Sequence, residues 1–195
     1  MDTVVHLAAV PYDADWNSLL HSNIIGDHNV FEACRQAGVR RVVAASTIQV
    51  SFGQRRRAPY SAVSEGLLEE LPPDVPRIDV SMAPEPLNLY ASTKVFTESL
   101  CRVFSYQHAM SCLAIRIGWV VSEDRPPNRR AVDTWCSQRD IAGLTQACID
   151  APEDVRFDIF YAVSNNRHAW VNMENARERL GFVPQDRAED HELPD

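Results

Sequence analysis

Tyr90-Ala-Ser-Thr-Lys94 sets a phenol and an ammonium four residues apart. On a helix that spacing puts both side chains on one face, within reach of a shared ligand. A phenol of ordinary pKa, near 10, is a poor base at neutral pH, whereas a neighbouring cation favours the phenolate and brings it toward the working range. The chemistry that asks for such a pair is proton exchange with a hydroxyl or carbonyl oxygen, as in alcohol/carbonyl redox. Lys94 stands out further because it is the only lysine: the other 18 of the 19 basic residues are arginines. A compact ammonium differs from a planar guanidinium in reach and hydrogen-bond geometry, so position 94 asks for something arginine does not supply.

Residues 90–108 read as a helix, which would carry both side chains. Around it, residues 3–9 are β-branched and apolar, 15–38 show apolar positions at a period near 3.6 closed by Gly38, and 39–46 and 111–118 repeat the buried-strand pattern. Ser137-Gln-Arg-Asp140 has the form of a capping box opening a helix to about residue 150, followed by a strand near 156–163 and a short helix near 173–180. Strands alternating with helices in this way predict an α/β fold with a parallel sheet flanked by helices. Residues 51–86 differ, holding six of the twelve prolines and the run Arg55-Arg56-Arg57. They are expected to form a long loop insertion, with the arginines on a solvated face.

Composition bounds the function. With 195 residues, 45% hydrophobic and 24% charged, the chain can build the core of a single domain. The net charge of −8 argues against non-specific binding to nucleic acid or anionic membrane. No apolar run approaches the roughly 20 residues of a membrane helix, and the reading is of a cytoplasmic protein. Five cysteines without C-x-x-C spacing predict buried thiols rather than disulfides or a zinc site, and the six histidines show no metal-ligand pairing, so no metal is expected.

Five segments occur in a telling order: Val5-His6-Leu7-Ala8-Ala9, Asn23-Ile-Ile-Gly26 with Asn29-Val-Phe-Glu-Ala33, Arg41 to Thr47, the Tyr90/Lys94 pair, and Arg116-Ile-Gly118. In that order the chain resembles the extended short-chain dehydrogenases, the NAD-dependent epimerase/dehydratase family. Within it, the chain looks most like the uronate dehydrogenases, through residues 130–137, Asn165-Asn166 with Trp170, and 180–189. The resemblance implies a Rossmann-like sheet, NAD or NADP as cofactor, and a sugar or sugar-acid substrate, with no nucleic-acid or membrane partner and a possible homo-oligomer. It makes Tyr90 the general base, Lys94 its pKa-lowering and ribose-binding partner, and Thr47 the hydroxyl that meets the reacting oxygen. Leu7, Ala8, Ala9 and Ile117 would line the cofactor, Arg130 and Gln49 would contact substrate, and Asn23 would steady the helix behind the site. About residues 119–195 would form a small substrate-binding portion. Pro11, Trp119 and Ile48-Gln49 depart from the small or polar residues of uronate dehydrogenases, which points to a different or narrower substrate.

One expected part is missing. The seven glycines never come closer than 12 residues to one another, so no glycine-rich turn follows a strand to cradle a pyrophosphate. The chain opens on what resembles the family's fourth strand, which predicts an N-terminally truncated Rossmann domain lacking roughly 60 residues by the usual size of βα units. Weak binding of NAD or NADP by these 195 residues alone is therefore expected. Two alternatives stay open beside the dehydrogenase: a nucleotide-sugar epimerase or dehydratase, and a non-catalytic remnant acting as a binding module.

Overall fold

A computed structural model describes residues 2–11, 14–65, 67 and 76–192. Four strands, β1 (Thr3–His6), β2 (Arg41–Thr47), β3 (Ser111–Ile117) and β4 (Phe157–Ala162), pair in sequence order and all in parallel. Every β2 residue but Ala45 is buried, as is every β3 residue but Ile117, which is why these strands read as continuous apolar runs rather than alternating ones.

Helices cover both faces. On one, α2 (Asp27–Gln36) and α4 (Leu89–His108) pack Phe31, Cys34, Leu100, Cys101 and Phe104 against Val42, Ala44, Cys112 and Ala114. On the other, α5 (Gln138–Ile149) and α6 (Glu174–Leu180) set Leu144, Cys148 and Ala176 against Val43, Leu113, Ile115 and Phe160. All five cysteines are buried and free, and burial pushes their thiols up, Cys112 and Cys148 to about 12. None of the described helices is long and apolar enough to cross a membrane.

The segment expected as one helix over 15–38 is three pieces: α1 (Trp16–Leu19), a π-helical stretch (Leu20–Gly26), and α2. Gly38 closes it at φ +68°, a conformation that only glycine adopts without strain. Ser137 caps α5, its hydroxyl accepting from Asp140 N–H at 3.0 Å. Asp140 does not complete the box: it accepts from the Ser164 hydroxyl and from the Gln185 and Asp186 amides, and so fastens the C-terminal tail.

The stretch expected as a loop carries a 3₁₀ helix (Ile48–Arg56) and α3 (Ser61–Glu65), while residues 66 and 68–75 lie outside the described residues. Gly53 N–H and Glu85 N–H bond across to Glu85 and Val50 carbonyls, and Ile78 bridges to Val171, so both ends dock on a cluster with Ile48, Tyr161 and Trp170. Arg55 is not on a solvated face. Its side chain is 12% exposed, pairs with Asp133 at 3.2 Å, and lies over the rings of Phe52 and Trp170.

Candidate active site

The site forms at the carboxyl ends of β1, β2 and β3, where α4 begins. Asn88 caps α4 by accepting from Ala91 N–H at 2.7 Å, which fixes where the first turn, and with it Tyr90, enters. Thr47 ends β2 and caps the 3₁₀ helix, accepting from Gln49 N–H. The Thr47 hydroxyl lies close enough to the Tyr90 phenol to favour its ionised form. Gln49 joins from the other side, its carbonyl oxygen accepting from Asn88 Nδ2 at 2.8 Å, so residues from β2, the 3₁₀ helix and α4 are locked together at one corner.

Lys94 sits one turn behind Tyr90 and is 2% exposed. Its ammonium donates to the Ala45 carbonyl at 2.9 Å and lies 6.0 Å from the Tyr90 ring centroid. The electrostatics differ from the expectation that Lys94 rules the phenol. Burial raises the Tyr90 pKa, the Thr47 hydroxyl opposes that, and Asp27 adds to it; Lys94 is not among the causes. Lys94 is itself pulled down by burial, with Asp27 acting to raise it. The physical reason is that both groups have left water, and desolvation penalises the phenolate and the ammonium alike.

Leu7, Ala8 and Ala9 are exposed where the chain leaves β1, Leu7 by 63%. Leu7 and the half-buried Ile117 line one apolar groove of about 230 Å³, with Val5, Val120 and Ile141. Asn23, fully buried in the π-helical stretch, clamps the same crossing: it accepts from Val10 N–H at 2.8 Å and donates to the Val10 carbonyl and to Thr93 Oγ1. Arg130 stands apart, exposed on a one-turn helix (Arg129–Ala131), and makes no ion pair among the described residues.

A second network escaped sequence reasoning. Arg116 on β3 grips Glu98 of α4 with two hydrogen bonds of 2.8 and 2.9 Å, and also donates to Tyr161 Oη and Ser51 Oγ. Glu98 in turn accepts from Ser46, the residue before Thr47, at 2.7 Å. The signal for Glu98 lay in its register, one turn beyond Lys94 on the buried face. Gly118, just past β3, is required by crowding: a methyl there would run into the Thr134 and Ala162 carbonyl oxygens.

Residues 1–138 match the NAD dependent epimerase/dehydratase family. The chain belongs to that family. An NAD-dependent glucose-6-phosphate dehydrogenase of Haloferax volcanii is 32% identical over 186 residues, which are 94% of this chain and 68% of the relative. A uronate dehydrogenase of Agrobacterium fabrum is 31% identical over 188 residues, 96% of this chain and 63% of its own length. Among solved structures, the uronate dehydrogenase of Agrobacterium tumefaciens complexed with NAD superposes with a TM-score of 0.80 at 26% identity, covering 100% of this chain and 68% of that one. The chain thus spans about two thirds of the proteins it matches.

For NAD, the residues present fit the nicotinamide end. A phenol, a hydroxyl and a buried ammonium meet at the amino end of α4, while the apolar groove of Leu7 and Ile117 lies on the α5 side of the sheet. The sequence holds no glycine-rich turn for the pyrophosphate.

Proposed function

We propose that the protein is an NAD(P)-dependent oxidoreductase that oxidises a hydroxyl of a sugar or sugar acid. The observation that carries this reading is the approach of the Thr47 hydroxyl to the Tyr90 phenol, one helical turn from a buried lysine whose ammonium lies 6.0 Å from the phenol ring. A substrate hydroxyl placed between them would pass its proton to Tyr90 Oη in its phenolate form while Thr47 holds the oxygen, a geometry that general acid–base catalysis requires at about 3 Å from each partner. NAD or NADP, when bound, supplies the hydride acceptor. Lys94 has two donor positions left beyond its bond to Ala45, which suits ribose hydroxyls, and Leu7, Ala8, Ala9 and Ile117 would flank the nicotinamide.

On the substrate side, the Gln49 side chain is engaged among the described residues only through its carbonyl, by Asn88, which leaves its amide hydrogens to donate. Arg130 is the fork that would meet a carboxylate, and its exposure suits a group that closes on substrate. Residues from about 119 onward would form the substrate-binding portion. The names of the relatives support the class, and the departures at Pro11, Trp119 and Ile48-Gln49 leave the sugar open.

The test is a panel of aldoses, aldose phosphates and hexuronates offered with NAD and with NADP to the protein, following reduced cofactor at 340 nm and the product by chromatography. Oxidation of one class above the rest is expected. Epimerised or dehydrated product with no net cofactor reduction would replace the dehydrogenase reading with the epimerase one.

A further inference from the structure

Asp27 is fully buried, and nothing in the mechanism above uses it. It occupies the first turn of α2 on the same face as Phe31 and Cys34, where an apolar residue would be expected. A buried carboxylate costs several kcal/mol unless it is paired and hydrogen-bonded, so its partners explain its presence. His6 Nε2, at the end of β1, lies 2.8 Å from Asp27 Oδ1, and the Thr97 hydroxyl on α4 donates to Oδ2. Thr97 is on the helical turn after Lys94, so the same carboxylate faces the lysine's side of α4.

Lys94 has the complementary problem. Its ammonium is buried, its one protein hydrogen bond goes to a neutral carbonyl, and among the described residues it makes no direct ion pair. The charged and titratable groups around it can be enumerated. Tyr90 and Cys101 come from its own helix and Asp27 from α2, with His6 of β1 on Asp27, Cys112 of β3 beside Cys101, and Arg116 of β3 on Glu98 one turn along α4. Glu98 is neutralised by its two bonds to Arg116. The Cys101 and Cys112 thiols are held protonated by burial. The carboxylate left to balance Lys94 is Asp27.

We infer that Asp27 is a positioning residue: its carboxylate, fixed by His6 and Thr97, supplies the counter-charge that keeps the Lys94 ammonium protonated inside the fold. The electrostatics agree in sign, Asp27 raising Lys94 against the burial that lowers it. Asp27 also raises Tyr90, so its charge supports the cation at a direct cost to the phenolate. The price is tolerable only if a charged Lys94 matters more to the site than an easily ionised Tyr90.

The inference uses the redox reading only for its effect on turnover. Its primary test does not need turnover. Because Lys94 is the single lysine of the 195-residue chain, lysine-selective ¹³C,¹⁵N labelling gives one side-chain signal, whose shifts report protonation directly. Wild type is expected to show a charged ammonium at pH 7. In Asp27→Asn, which keeps the shape and a hydrogen-bond partner for Thr97, the Lys94 midpoint should fall by at least about one pH unit, the low end of what an adjacent opposite charge does. A neutral Lys94 in wild type at pH 7, or an unmoved midpoint in Asp27→Asn, overturns the inference. Should Asp27→Asn fail to fold, the wild-type signal decides alone. In turnover, Asp27→Asn should move the alkaline limb of the rate–pH profile to lower pH, whereas a purely structural role would lower the rate equally at every pH. A turnover that survives Tyr90→Phe would sink the redox reading and leave the Lys94 titration untouched.

Discussion

The two halves of α4 bury their inner faces in opposite ways. Beyond residue 99 the helix sinks Leu100, Cys101 and Phe104 into the apolar cluster under β1, β2 and β3. Before it, the same face buries Thr93, Lys94, Thr97 and Glu98, each with a named polar partner. Apolar burial contributes about 25 cal/mol per Å² with little regard to orientation, whereas polar burial contributes little net but fixes atoms within hydrogen-bond geometry. The carboxyl half of α4 therefore anchors the helix, and the amino half aims it.

That division can be broken from either side. The largest stability loss is expected from Glu98→Ala, which strands Arg116 in the interior and should cost about 3–5 kcal/mol by chemical denaturation. Replacing both partners, Glu98→Leu with Arg116→Met, should recover most of that stability, because apolar pairs commonly substitute for buried ion pairs without loss. Turnover should stay depressed in the double variant, since Ser46, and with it the end of β2 that carries Thr47, has lost its tether. A double variant with full activity would show that the amino half does not aim the helix. Next comes Phe104→Ala, expected to cost about 3–4 kcal/mol while leaving kcat of the folded fraction within about twofold.

A smaller effect, on pH dependence, separates the site from the segment that packs beside it. Asp133, paired with Arg55, is raised to about 6, burial outweighing the attraction of the guanidinium. The folded state thus holds a proton that the unfolded chain, with its carboxyl near 3.8, has released. The contribution of Asp133 to stability therefore falls as pH rises through that window, by about 3 kcal/mol in all, and is flat above it. Denaturation midpoints from pH 3.5 to 7.5 should show this fall as the difference between wild type and Asp133→Asn; an identical pH dependence in both would remove Asp133 as its source. Substituting Lys94→Arg is expected to weaken cofactor binding and turnover together, by about tenfold each, because the buried carbonyl of Ala45 and a ribose cannot both be met by a planar fork. Titration calorimetry alongside kinetics would register both losses.

The sheet was legible because buried parallel strands write themselves as apolar runs, and α4 was read over residues 90–108, one residue short of its start at Leu89. The π-helical stretch was not, because it depends on Asn23 reaching Val10 and, 70 residues away, Thr93. Tyr90 and Lys94 were singled out by residue type and spacing, and Thr47 through the family resemblance. Asp27, His6 and Glu98 were not, since a lone polar residue on an apolar face announces that a partner exists without saying which. Arg55 was misjudged for a related reason: a run of three arginines looks solvated until Asp133, 78 positions later, turns out to be buried beneath it.

The central claim, that Tyr90 serves a hydride transfer from a sugar, is tested most directly by isotope. A sugar or sugar acid found active in the substrate panel is supplied with deuterium on the carbon to be oxidised, and the reduced cofactor is analysed by mass spectrometry. The account predicts one deuterium on the nicotinamide for every turnover of wild type, and a fall of about 10²–10⁴ in the rate of its appearance in Tyr90→Phe with cofactor affinity preserved. Product formed without deuterium in the cofactor, or label transfer undiminished in Tyr90→Phe, would contradict it.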